Sequence, residues 1–212
     1  MDKIDKPWRN QIGGMWDEIG ELQFNFLLTN GLKPEHKLLD VGCGCFRGGI
    51  HFIKYLQDGN YCGIDRSREL LDAGIDELRS AGLESKVTNI TCDTDFRFDQ
   101  FSTKFDFMLA QSVFTHLPLN SIQKCLYNAS MVLKPGGRFY ATFFEDPGGT
   151  NIATPIVHDR GGITTYSDKD PFHYQFKDLG HLGDKFNLNT HYIGDWDHPR
   201  DQKIIYFTLS GD

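Results

Sequence analysis

Two glycines, Gly42 and Gly44, follow the apolar run Leu38-Leu39-Asp40-Val41 and stand ahead of a helical pattern. A turn of that kind lets bare backbone approach a ligand at a helix N-terminus. Three carboxylates accompany it: Asp40 before the glycines, Asp65 at the end of the next apolar run and 21 residues past Gly44, and Asp93 at the end of the third. An acid placed like Asp65 can take the hydroxyl pair of a ribose. The dinucleotide spacing G-x-G-x-x-G needs glycine at position 47, where Arg47 stands, and the phosphate loop G-x-x-x-x-G-K-[ST] does not fit either. Gln111, Ser112 and His116 follow the fourth apolar run, and an imidazole there suits general-base chemistry near neutrality. A helix-capping or packing role is the alternative for His116.

The elements that must position these residues are legible from periodicity. Apolar residues at 12, 15, 16, 19, 22 and 26 predict an amphipathic helix over 11–28, weakened by Gly13, Gly14 and Gly20. Trp16 on that helix reads either as a packing residue or as part of a lid facing the cleft. Strands are predicted over 37–41, 61–64, 87–92, 105–110, 138–144, 187–193 and 203–209. Helices are predicted near 50–56, after the N-cap Ser67, after the capping pattern Asn120 and Gln123, and over 172–182. Residues 134–137 are expected to form a tight turn, and 145–171 a long loop, functional or mobile in character, with room for a short hairpin. Alternating strands and helices imply an α/β fold with a parallel sheet covered on both faces and ligands beyond the strands' C-terminal ends. The last two strands are joined too closely for a crossover helix and should form an antiparallel hairpin at one edge.

The chain has 212 residues, 39% apolar and 24% charged, which fits one domain: a helical lead-in over 1–36 packed on a body over 37–212. A formal charge of −7 with no basic run argues against nucleic acid as a partner. No apolar run reaches a membrane span and the N-terminus is charged, so a cytoplasmic protein without a membrane partner is expected. The five cysteines are odd in number and read as buried thiols; Cys43-x-Cys45 is one residue short of a zinc knuckle and lacks a second pair, so no metal is expected.

Taken together, Leu39-Asp40-Val41-Gly42-Cys43-Gly44, Gly63-Ile64-Asp65, Phe105-Asp106 through Gln111-Ser112, and Val132-Leu133-Lys134-Pro135-Gly136-Gly137 resemble the successive motifs of class I S-adenosylmethionine-dependent methyltransferases. The resemblance covers residues 38–209. It implies a Rossmann-like seven-stranded sheet, mostly parallel with the last strand reversed, and S-adenosylmethionine as cofactor. It also implies that Asp40, Gly42, Cys43 and Gly44 meet the methionine portion, Asp65 the ribose, and Asp93 with Thr94 the adenine, while Gln111 and Ser112 lie beside the sulfonium and Arg66 is counted among the cofactor contacts. The family's third glycine is replaced by Phe46, so the loop should be shaped differently. Arg47 then reads either as an exposed helix arginine or as a partner of the cofactor carboxylate.

The expected activity is metal-independent methylation of an O or N atom of a small-molecule acceptor, with His116 as base. A noncatalytic cofactor-binding protein and a protein or peptide methyltransferase are the alternatives. Glu145, Tyr166, His173 and Tyr174 are expected near the acceptor with Trp16. His198 and Arg200 belong to a segment that reads as a site or as a solvated turn. Monomer and homodimer are both open.

Overall fold

The computed structural model describes residues 6–86, 89–148, 151 and 153–211. The expected strand at 87–92 appears as β3, Asn89–Cys92; its first two positions lie outside the described residues. The predicted N-terminal helix is instead two, α1 (Pro7–Gln11) and α2 (Trp16–Thr29). Gly13, Gly14 and Met15 break it, all with left-handed backbone (φ 89°, 66° and 50°), a region in which a helix cannot continue.

Strands β1 (Leu38–Val41), β2 (Tyr61–Asp65), β3 and β4 (Phe105–Ala110) run parallel, with β2 and β4 on either side of β1. Helices α3 (Gly49–Tyr55) and α4 (Arg68–Ser80) connect the first three, and Ser67 caps α4 by accepting from the Leu70 amide at 3.2 Å. Helix α5 (Leu119–Val132) starts behind Pro118 without a side-chain cap; the Asn120 carboxamide is turned to the Ser121 amide instead of forming the expected cap. Strand β5 (Leu133–Glu145) absorbs the predicted turn. Phe105 pairs with Leu133 and Phe107 with Arg138, so residues 134–137 bulge out of register, and Gly136 takes φ 72°.

The long loop holds a small antiparallel pair, β6 (Ile156–Val157) with β7 (Thr164–Thr165). The predicted helix at 172–182 begins later: β8 (His173–Tyr174) comes first, then α6 (Phe176–Asp184), opened by a reciprocal cap between Gln175 and Asp178. β9 (Leu188–Gly194) and β10 (Lys203–Leu209) form the antiparallel edge pair.

The sheet order is β3-β2-β1-β4-β5-β10-β9, with β8 added in parallel to the end of β5, which makes eight strands rather than seven. All four β1 residues are buried; Leu39 and Val41 join the core under α5 and α6, and Leu38 joins the opposite core with residues of α2, α3 and α4. The chain winds outward from β1 to β3 and returns to β4 on the other side. That reversal opens a crevice between the ends of β1 and β4.

Candidate active site

A cavity of about 1000 Å³ occupies this crevice. Gly42 (φ 71°) turns out of β1, and a Cβ there would lie 2.5 Å from Val113 Cγ2, so the loop can pack against the end of β4 only with glycine. Gly44 (φ 54°) donates its amide to Asp65 Oδ2 at 2.9 Å, while Oδ1 accepts from the Ser67 amide at 2.8 Å. One carboxylate thus ties the glycine loop to the start of α4. Phe46 keeps the left-handed backbone (φ 64°) that a glycine would adopt freely, and its fully buried ring sits edge-on to Tyr61 and against Gly74.

Asp40, Asp65 and Asp93 line the cavity from the ends of three adjacent strands. Asp40 is 5% exposed and accepts from the Tyr61 hydroxyl at 2.7 Å; burial pushes its pKa up to about 7, against the opposing pull of that hydrogen bond. Asp93 turns the next loop. Its Oδ1 accepts from the amides of Asp95 and Arg97, and Arg97 Nε donates to Oδ2, which sets Thr94 and Phe96 in the cavity wall. Arg66 and Cys43 also line the cavity, and burial holds the Cys43 thiol well above its usual pKa.

Arg47 is only 7% exposed, so the exposed-helix reading is wrong for it. Nη1 donates to the carbonyls of Ile12 (3.1 Å) and Gly14 (2.9 Å), Nη2 to Gln111 Oε1 (3.1 Å), and Nε is buried without a partner. Burial, and next the charge of Arg200, lower its pKa to about 10. Arg200 donates to the carbonyl of Gly13 between those two. Residues 12–14 therefore run as a strap held by two guanidiniums, a role that local sequence patterns do not reveal.

Past β4, Ser112 takes a left-handed backbone (φ 57°) and donates its amide to Thr142 Oγ1 at 2.7 Å. Gln202, just before β10, accepts from Thr142 Oγ1 at 2.7 Å and donates to Ser112 Oγ at 2.8 Å. His198 is fully buried behind Gln111, its Nε2 3.2 Å from the Gln111 amide nitrogen; burial first, then Arg47 and Arg200, lower its pKa to about 3. It supports the wall and does not form a solvated turn. His116 lines the cavity half exposed, with Nδ1 2.5 Å from Asp170 Oδ1.

Six of the expected acceptor residues lie outside the cavity lining, His198 behind its wall and five others elsewhere. Trp16 stacks under the Arg9 guanidinium at 4.2 Å and is neither lid nor deep core. The Glu145 carboxylate accepts from the Tyr192 hydroxyl at 2.6 Å and faces a separate hollow of about 210 Å³. Tyr166 lies beneath the Lys169 ammonium. His173 shares the Thr165 hydroxyl with His158, each at 2.9 Å. Tyr174 belongs to the core and donates its hydroxyl to the Leu117 carbonyl. The β8–β5 pairing sets His173 beside Phe144 and Tyr174 beside Glu145 in the sheet. The places left open are filled by Ile12, Gln23, Phe144, Ile163 and Asp170, none of which carries a recognisable motif.

Residues 39–139 match the family model described as a methyltransferase domain. The fold is that of a class I methyltransferase. A solved S-adenosylmethionine-dependent methyltransferase of Clostridium acetobutylicum superposes with a TM-score of 0.68 at 15% identity, over 95% of this chain and 94% of that one. The magnesium protoporphyrin IX methyltransferase of Synechocystis, solved with S-adenosylmethionine bound, gives 0.63 at 13% identity over 91% and 81% of the two chains. Among curated proteins, an uncharacterized methyltransferase of Schizosaccharomyces pombe is 30% identical over 112 residues, 50% of this chain and 39% of the relative. The chain thus spans about two fifths of that relative's length. The Synechocystis neighbour was solved with S-adenosylmethionine bound, and in an open α/β sheet ligands bind in the crevice at the switch in strand order, where this cavity lies.

Proposed function

We propose that this methyltransferase domain uses S-adenosylmethionine to methylate an O or N atom of a small-molecule acceptor without a metal. One observation carries the reading: an acid, Asp40, and a guanidinium, Arg47, both more than nine-tenths buried, line the same cavity together with Asp65. Buried charges are costly unless matched, and a zwitterionic amino-acid end flanked by a ribose diol matches this set.

On that reading Asp40 and the amides of the Gly42 loop hold the ammonium side of the cofactor, Arg47 its carboxylate, Asp65 the ribose hydroxyls, and the wall at Thr94 and Phe96 the adenine. The bound cofactor supplies a methyl group activated on a sulfonium. The strap at residues 12–14 and Val113 exclude water from the crevice, and orientation of the acceptor contributes the larger part of the acceleration. His116, held through Nδ1 by Asp170, takes the proton from a protonated acceptor at Nε2. Burial pushes the Cys45 thiol up to about 11 and raises the Cys43 thiol as well, so both are neutral thiols in the free protein and poor nucleophiles toward a methyl group. Its cavity volume stands at the upper end of the roughly 300–1,000 Å³ of ligand pockets and leaves space for an acceptor beside the cofactor. The test is formation of S-adenosylhomocysteine from S-adenosylmethionine against a panel of small hydroxyl and amine acceptors. Product formed with a member of the panel supports the reading; cofactor binding without turnover of any small, peptide or protein acceptor would assign a noncatalytic role.

A further inference from the structure

Two guanidiniums stand at one cavity with no carboxylate between them. Among the described residues neither Arg47 nor Arg200 forms an ion pair. The acid next to Arg200 in sequence, Asp201, is committed elsewhere, to Lys203 Nζ at 2.7 Å with His158 at 3.8 Å. Asp40, Asp65 and Asp93 belong to the other half of the crevice, over β1–β3, and Asp170 is engaged by His116. Arg200 lies over the β5 and β10 half, the half that also carries Gln202, Phe144 and Ile163.

The side chain is also built into place. A Cβ at Gly161 would lie 3.2 Å from Arg200 Cγ, so the turn between β6 and β7 grips the stem, and a Cβ at Gly13 would collide with the guanidinium itself. The Arg200 amide donates to His198 Nδ1 at 3.2 Å, which fixes the backbone from below. A guanidinium held in place, with Nη2 given to one strap carbonyl and its other N–H groups without a partner among the described residues, can meet an anion at the cavity at low entropic cost.

We propose that Arg200 recognises an oxyanion on the methyl acceptor, a carboxylate or a phosphate, and so restricts the acceptor class to acidic small molecules. This rests on the methyl-transfer reading of the cavity, in which Arg47 serves the cofactor and Arg200 is left for the acceptor. Planar bidentate recognition of a carboxylate or phosphate is the interaction that an arginine fork makes best. The neighbouring charge of Arg47 strengthens the field at that point and disfavours a cationic acceptor.

The experiment is a calorimetric titration of the full chain, saturated with S-adenosylhomocysteine, with inorganic phosphate and separately with acetate. Saturable binding to the wild type that weakens at least about tenfold in Arg200→Gln, each protein being held saturated with S-adenosylhomocysteine, supports the proposal; about tenfold corresponds to ~1.4 kcal/mol. Arg200→Lys, which keeps the charge and loses the fork, should fall between them and serves if the glutamine variant fails to fold. Equal anion binding by the variants, anion binding only without S-adenosylhomocysteine, or no saturable binding up to tens of millimolar would each overturn it. Failure of S-adenosylhomocysteine itself to bind is a separate result, and it removes the methyl-transfer reading first.

Discussion

The ring of Phe46 fills the space that a side chain at Gly74 would need: a Cβ built there would lie 2.6 Å from Phe46 Cδ2. Glycine inside α4 gives up about 1 kcal/mol of helix propensity against alanine, and here that loss admits an aromatic ring beneath the helix. Gly74→Ala should therefore destabilise the fold by about 1–3 kcal/mol through overpacking, despite its better propensity. Combining it with Phe46→Leu should cost less than the sum of the two single changes, because the smaller side chain relieves the clash. Chemical denaturation of the three variants measures this coupling.

Glu77 on α4 collects the N-terminal segment. Its carboxylate, 2% exposed, accepts from Lys6 Nζ (2.7 Å), Trp8 Nε1 (2.9 Å) and Arg9 Nε and Nη2 (2.9 and 2.8 Å). Burial alone would raise its pKa, but the hydrogen bonds from Arg9, Lys6 and Trp8 outweigh it and hold the group at about 2, below the ordinary 4.5. A folded pKa below the unfolded one gives stability that is complete above the unfolded value and disappears as pH falls toward the folded one. The stability difference between wild type and Glu77→Gln should be largest near neutrality and shrink as pH falls from about 4.5 to about 2. A difference independent of pH in thermal unfolding would contradict this assignment.

Asp40 has the opposite sign. Burial raises its pKa from 3.8 to about 7, so the native state binds a proton more tightly than the unfolded chain, and its contribution to stability is lost as pH rises between those values. Asp40→Asn should remove this slope, measured by denaturation at stepped pH in the absence of ligand. Wild-type affinity for S-adenosylhomocysteine should rise through pH about 7 as the carboxylate forms to meet the ligand's ammonium.

His116 and Asp170 are 2.5 Å apart at the cavity rim. His116→Asn should lower kcat by about 10²–10⁴-fold with affinity for S-adenosylhomocysteine unaltered, as loss of a general base does. Asp170→Asn acts through the imidazole, which it leaves without the carboxylate at its Nδ1; it should lower kcat while KM and affinity for S-adenosylhomocysteine change little. A kcat equal to that of the wild type would leave Asp170 with a structural role only.

Much of this architecture is legible in the amino-acid order because buried strands and amphipathic helices leave short periods. β4 and β10 occupy the predicted residues, and Ser67 caps α4 as its type suggests. What escapes is set by contacts distant in sequence. β8 is two residues long and exists because the end of β5 offers it hydrogen bonds, and Arg47 is buried because carbonyls 33 to 35 positions earlier in the chain reach it. The break after α1 is written locally, in Gly13-Gly14, but the apolar period continues across it and conceals it. His198 reads in sequence as part of a site or of a solvated turn, since nothing in its neighbourhood signals that the segment leading into β10 sets it behind Gln111, with Gln202 beside Ser112.

The central claim is that the crevice over β1, β2 and β4 takes the methyl donor through Asp65 and its neighbours. Titration of S-adenosylhomocysteine into wild type and Asp65→Ala tests it most directly. One site per chain on the wild type, weakened about tenfold or more in the variant, a loss of at least ~1.4 kcal/mol, is the predicted result. No binding to the wild type, equal binding to both, or tight binding of NAD in its place would contradict it.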